Sequence, residues 1–364
     1  MSFLISATLS LHFAGIAVVN YHVSIRDPLM KNSIIVFFLL LLFACKKEAE
    51  QVQTTNPYQL NKPVHFPAIA YNNPENEITQ QKYILGKRLF FDPILSIDSS
   101  ISCASCHAPE HAFADHNLAL SKGINGKVGT RHSPALFNLA WMRSFNWDGG
   151  VNHLEVFPIA PITNELEMGE DLKNVLRKLN QSQSYQVGFK AAFGSDKIED
   201  KQMMLALTQY MLMIVSDDAK YDQVKRGTAA FTAQEQEGYL VYQNHCSSCH
   251  VEPLFTSPEY KSNGFNKDAK ELGRMRITQL EKDRNLFKVP SLRNLKFTYP
   301  YMHNGKLWNL DAVIAHYQLP KPDALNAEPS IVNGMKLTET EVNALKAFLN
   351  TLNDNTFIAN PFYR

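Results

Sequence analysis

Two copies of the pentapeptide CxxCH, Cys103-Ala-Ser-Cys106-His107 and Cys246-Ser-Ser-Cys249-His250, take four of the five cysteines in this chain. Each is the attachment pattern of a c-type haem, in which two thiols add across the porphyrin vinyl groups and the adjacent histidine binds the iron from one side. A pair of zinc knuckles is the first competing reading, but its halves usually lie within about 15–20 residues of each other, and these motifs stand far apart with a histidine fixed after each. A thioredoxin-like redox pair is the second, and it needs only one such motif. The doubled motif predicts two covalently bound haem c groups, with His107 and His250 as iron ligands.

At 364 residues the chain is long enough for two domains that each bury a core, and its net charge of +1 gives no reason to expect nucleic acid as a partner. The fifth cysteine, Cys45, ends the apolar run Ile34–Ala44, which follows Lys31 and precedes Lys46-Lys47-Glu48. A positive start, a short apolar core and a small residue at the cut make a secretory signal. Leu42-Phe43-Ala44-Cys45 resembles a bacterial lipobox, which implies lipidation of Cys45 and a membrane-anchored protein of the cell envelope, facing the periplasm. Several acyl chains would hold it, since one binds only marginally. Met30-Lys31-Asn32 makes a good signal opening, so residues 1–29 read as a mis-assigned upstream segment. The alternative, a membrane segment from Phe3 to Val19, is interrupted by His12 and falls short of the ~20 residues of a span.

The expected organisation is a signal over 30–44, a polar lipidated tether over 45–61, and two haem domains over 62–226 and 227–364. Tyr83–Phe91 predicts an apolar helix stopped by Pro93. A long stretch from Ala108 to His132 lacks helical period and could cover a haem face. Helical signals return at Asp171 and run through Gln202–Ile214, while the charged, Gly-terminated Lys220–Gly227 marks a domain boundary. Thr232 with Glu235 and Thr338 with Glu341 form capping boxes, the first opening a helix that runs into Cys246 and the second opening the last long helix.

Between and around the haem motifs stand Leu85–Pro93, Trp147-Asp-Gly149, Asn164-Glu-Leu-Glu-Met-Gly169, Val289-Pro-Ser-Leu-Arg-Asn294 and Pro300-Tyr-Met-His-Asn-Gly305. In this order, over about residues 75 to 355, they resemble the bacterial di-haem cytochrome c peroxidase family, which includes the MauG-type enzymes. The resemblance implies a mostly α fold of two cytochrome c-like haem domains. It also implies an oxidoreductase that reduces hydrogen peroxide with electrons from a small cytochrome c or cupredoxin, and a homodimer as candidate assembly. Rival functions are MauG-type oxidation of a protein side chain and a non-catalytic electron carrier.

The same resemblance places an acid/base role on Glu167, an electron relay on Trp147 and a pocket wall on Pro161. Proton movement between peroxide oxygens needs such a group, and burial raises a carboxyl pKa toward that task. Read without the family, Glu167 precedes or caps the next helix and Trp147 is a core tryptophan. Phe157 stands where the family often carries glutamine. Tyr317 shares a helical face with Leu310, Val313 and Ile314 and falls where relatives place a sixth ligand of the second haem, with Met302 and His316 as alternatives. The carbonyls of Thr298 and Pro300 match a calcium site whose expected asparagine is His132 here, although hard Ca²⁺ prefers oxygen. His111, His116 and His132 lie in loops near the first motif, where histidines are more often solvated.

Overall fold

The computed structural model describes residues 56–364 apart from His116 and Lys267. The signal, the lipobox and the tether up to Thr55 fall outside the described residues. What is described is mostly helical, with one two-stranded antiparallel ribbon in which β1 (Tyr260–Lys261) pairs with β2 (Phe287–Lys288).

The two halves repeat one theme. In the first, α1 (Gln80–Phe91) begins where the Thr79 hydroxyl accepts from the Lys82 N–H and ends before Pro93, as the sequence predicts. It packs on α4 (Asp200–Leu212), with α2 (Leu172–Gln181) and α3 (Gln183–Phe193) alongside. A β-carbon on Gly86 would stand 1.9 Å from the Ala206 carbonyl oxygen, so glycine is what lets the two backbones meet. In the second half α6 (Ala233–His245) starts at the Thr232/Glu235 capping box and delivers Cys246, and α8 (Glu339–Asn350) starts at the Thr338/Glu341 box and packs on it. There a β-carbon on Gly238 would stand 1.9 Å from the Ala344 carbonyl oxygen. Each haem motif therefore sits beside a helix pair closed on a glycine.

Two apolar clusters follow from this arrangement. The first gathers Leu89, Phe90, Phe113, Phe137, Leu207 and Tyr210, and Phe357 and Tyr363 from the carboxy terminus join it. The second gathers Tyr221, Tyr242, Phe255, Leu345 and Phe348.

Between them the Lys220–Gly227 segment is a finding against its sequence appearance. It forms a short helix, α5 (Lys220–Lys225), with Tyr221 and Asp222 buried. Asp222 is fully buried, as is the Arg293 side chain that grips it with two hydrogen bonds of 2.5 and 2.9 Å, and His65 Nε2 lies 2.7 Å from the same carboxylate. A buried polar seam continues beside it: Asn138 Nδ2 donates to the Ser216 carbonyl, Asn294 Nδ2 to Ser216 Oγ, and Ser216 Oγ to Asp354.

Burial alone would push the Asp222 carboxyl up, but the hydrogen bonds and charge of Arg293 outweigh it and hold it below the usual range. The pair's contribution is therefore complete above the unfolded carboxyl pKa of about 3.9 and is lost as pH falls through the lower folded value. Arg293→Met leaves a buried carboxylate without its cation and should cost about 3–5 kcal/mol of unfolding free energy at pH 7, read by denaturant unfolding of the haem-loaded protein.

Candidate active site

The two haem motifs share a local design. At the first, a single turn over Cys103–Ser105 brings the His107 N–H to the Cys103 carbonyl at 3.0 Å, and Ser102 and Ser105 tie the turn's base. At the second, the Cys246 N–H closes the end of α6 on Tyr242, and the His250 N–H reaches the Cys246 carbonyl at 2.9 Å. His107 Nδ1 lies 2.9 Å from the Phe113 carbonyl; His250 Nδ1 lies 3.0 Å from the Pro290 carbonyl and 3.3 Å from that of Phe255. A carbonyl only accepts, so each Nδ1 carries the proton and each Nε2 keeps its lone pair for iron. Phe113 and Phe255 turn their carbonyls inward through left-handed backbone, with φ of 59° and 53°.

The electrostatics match the geometry. Burial pushes both histidines down to about 4, so both are neutral imidazoles at physiological pH. It pushes the Cys103 and Cys246 thiols up to about 12 and Cys106 to about 11, and none of the four motif cysteines is tied up in a disulfide. Cys103 packs on the first apolar cluster and Cys246 on the second, so the motifs do not meet as one zinc site.

A large cavity has Cys246, Cys249 and His250 in its wall, with Leu292, Leu310, Val313 and Leu349 around them and Tyr317 and Met302 also lining it. Apolar walls, two thiols and one neutral imidazole are the donor set a covalently held haem requires.

Glu167 is placed by Asn164. The Asn164 carbonyl accepts from the N–H groups of Glu167 and Gly169, its side-chain oxygen accepts from Leu166, and its amide donates to Glu167 Oε1 at 2.7 Å. Gly123 lets a neighbouring loop press on this turn: a β-carbon there would lie 2.2 Å from the Leu166 carbonyl oxygen, and the Ile124 N–H bonds the Glu167 carbonyl. Burial raises the Glu167 carboxyl pKa, and the Asn164 hydrogen bond offsets only part of that rise. Its charge in turn raises the pKa of both Cys103 and Cys106, so it lies within electrostatic reach of the first motif. The following helix is capped by Asp171, not by Glu167.

Trp147 lines the cavity, donates from Nε1 to the His132 carbonyl at 2.7 Å, and accepts from the Lys288 N–H at 2.7 Å. Phe157 is buried against Phe145, their ring centres 5.5 Å apart, and gives the cavity an apolar wall. Pro161 stands in the short helix Ile159–Thr163 and accepts from the Met168 N–H.

At the second site Tyr317 lies on α7 (Leu310–Gln318). Asn263 Nδ2 approaches both the Tyr317 hydroxyl, at 3.4 Å, and Met302 Sδ, at 3.2 Å. Burial pushes the phenol up to about 12, and the nearby Cys246 and Cys249 contribute to that rise. His316 Nε2 instead sits 2.9 Å from the Asn263 carbonyl, which leaves Tyr317 and Met302 as the better-placed candidates.

His132 is not a solvated loop residue. It is 4% exposed, its Nδ1 lies 3.2 Å from the Ala119 carbonyl, and its Nε2 has no hydrogen-bond partner among the described residues. It lines the cavity together with Thr298 and Pro300. His111 is half-buried, and His116 lies outside the described residues.

Asn164, Asn263, Phe113 and Phe255 were not singled out from sequence. The Asn-x-x-Glu spacing was a usable signal for the first, since asparagine commonly closes such turns. The others depend on distant partners.

Residues 80–230 match the family profile described as di-haem cytochrome c peroxidase. The chain is 35% identical over 286 residues to the methylamine utilization protein MauG of Methylorubrum extorquens, covering 76% of this chain and 79% of that one. It is 32% identical over 274 residues to the cytochrome c551 peroxidase of Nitrosomonas europaea, covering 74% and 78%. Among solved structures, a MauG-like protein associated with microbial copper homeostasis superposes with a TM-score of 0.77 at 28% identity, over 84% of this chain and 98% of that one. The diheme peroxidase BthA of Burkholderia thailandensis shares the fold, with a TM-score of 0.67 at 22% identity over 77% and 87%. With the motifs in register and relatives aligned along most of both chains, this protein belongs to the di-haem cytochrome c peroxidase family.

Proposed function

We propose that this protein reduces hydrogen peroxide to water, taking two electrons per turnover from a small cytochrome c or cupredoxin. The observation that carries this reading is Glu167, a half-buried carboxyl oriented by Asn164 and within electrostatic reach of Cys103 and Cys106. Haem attached at Cys103/Cys106 and Cys246/Cys249, with His107 and His250 as ligands, supplies the redox chemistry.

The chain's own contribution is positioning and proton movement. Glu167 takes a proton from the inner peroxide oxygen and returns it to the outer one as the O–O bond parts, so that water rather than hydroxide leaves. A raised pKa suits both transfers, and the Asn164 amide keeps the carboxyl in one rotamer between them. Trp147 is the electron relay between the halves, its ring held by the His132 carbonyl.

Residues 62–226 and 227–364 form the peroxide-reacting and electron-transfer domains in this reading, and a homodimer is the assembly it favours. Calcium does not fit the donors well, because the cavity that Thr298 and Pro300 line carries at His132 a buried imidazole in place of the expected asparagine oxygen. No step is assigned to it.

Glu167→Gln changes little volume, so both haems and the fold should be retained while steady-state peroxide reduction falls by about 10²–10⁴-fold, the usual worth of a general acid/base. Equal turnover in the variant removes Glu167 from the mechanism, and a wild type inert to peroxide in every redox state points to an electron carrier.

A second reading, MauG-type oxidation of a protein side chain, is favoured by the placement of the Tyr317 hydroxyl beside Met302. If tyrosine is the sixth ligand of the second haem, Tyr317→Phe should change the ferric electron paramagnetic resonance and visible spectra, and Met302→Leu should not. The reverse pattern assigns the position to methionine.

Among the described residues no helix is long and apolar enough to cross a membrane. The lipidated Cys45 is the proposed anchor, with the folded body in the periplasm. Cys45→Ala should then move the protein from the membrane to the soluble fraction with an unchanged haem spectrum. Retention in the membrane refutes the anchor.

A further inference from the structure

The cavity beside the second haem motif has three long cationic side chains in its wall, Lys261, Lys288 and Arg293. Two of them are matched. Lys261 pairs with Glu259 at 3.0 Å and Glu328 at 3.4 Å, and Arg293 is held by Asp222. The Lys288 amine has no carboxylate and no hydrogen-bond acceptor among the described residues, and burial pushes it down to about 8 with no charge nearby to offset the shift. Lys288 itself is half-buried in the cavity wall, so its unpaired amine can meet an anionic group that enters the cavity.

Lys288 is also held in place. Its N–H donates to the Trp147 carbonyl at 2.7 Å, and in the β1–β2 ribbon it pairs with Tyr260. The amine therefore starts from a rigid backbone next to Trp147, on the same cavity as Cys246, Cys249 and His250.

A haem is an apolar disc with two propionate carboxylates on one edge. The rest of this cavity suits the disc, and an unmatched ammonium suits a carboxylate. We propose that Lys288 is the counter-ion for a propionate of the haem bound at Cys246/Cys249, and that this contact turns the propionate edge of that haem toward Trp147. The inference rests on the second motif carrying haem. It adds a binding residue outside the CxxCH pentapeptide and gives Trp147 a defined haem edge to face.

The test uses the full-length protein carrying both haems, compared with Lys288→Met and Lys288→Arg. Thioether bonds keep the haem attached when a propionate contact is lost, so all three should show two haems per chain by pyridine haemochrome. In Lys288→Met the propionate bending band in the resonance Raman spectrum should shift, and the midpoint potential of the second haem should fall, because a cation beside the carboxylate no longer opposes the ferric charge. Lys288→Arg should restore both. Two haems with an unmoved band and potential in Lys288→Met overturn the proposal. If Lys288→Met does not mature, a crystal structure of the loaded wild type decides: Nζ bonded to a propionate oxygen, directly or through one water, upholds it, and any longer separation overturns it. A wild type with a single haem would fail at the earlier step, the haem assignment of the second motif, and not at Lys288.

Discussion

The ion pair between Asp222 and Arg293, with neither side chain in contact with solvent, holds the two haem halves as one body. The guanidinium lies 5.1 Å from the ring of Phe66 in the first apolar cluster and 5.8 Å from Tyr221 and Phe255 in the second, so it is shared by both. Buried charge of this kind is not a source of large net stability, because desolvation consumes most of the attraction. Its value is specificity: any slippage of one half against the other would leave a bare carboxylate or guanidinium in the interior.

The segment Val289–Asn294 shows how closely this clamp is joined to the chemistry. The Pro290 carbonyl accepts from His250, Ser291 Oγ donates to the Leu254 carbonyl, and the Leu292 N–H donates to that of Phe255. Arg293 then grips Asp222 and donates to the Pro253 carbonyl, and Asn294 enters the polar seam with Ser216. Within six residues the chain passes from the histidine ligand to the loop behind it and on to the joint between halves.

What could be read from sequence was what local chemistry decides. Pro93 after the first helix, the two capping boxes and the run of α6 into Cys246 each involve residues close in sequence, and all stand where they were expected. Features set by remote partners were hidden. Gly86 and Gly238 look like weak points in helices until Ala206 and Ala344 are seen against them. The burial of Asp222 in the charged Lys220–Gly227 segment has no local signal, because its partner Arg293 is 71 residues away. The left-handed backbone at Phe113 and Phe255 has no local signal, since phenylalanine is not a residue that prefers it. Of the site, the two CxxCH motifs were plain in the sequence, while the placement of Glu167 by Asn164 showed only in the folded turn.

The doubled design also locates the source of asymmetry between the two sites. His107 and His250 both donate Nδ1–H to backbone carbonyls, neither to a carboxylate, and burial makes both neutral. Imidazoles with such similar partners have similar basicity, so the histidines by themselves do not distinguish the two sites. The difference has to come from the other groups each site presents. Near the first motif lies a half-buried carboxyl, Glu167, steadied by Asn164; near the second lie a phenol and a thioether reached by one amide, Asn263. A titratable carboxyl on one side and a phenol and thioether on the other set the two sites apart, on a frame that treats the two histidines almost alike.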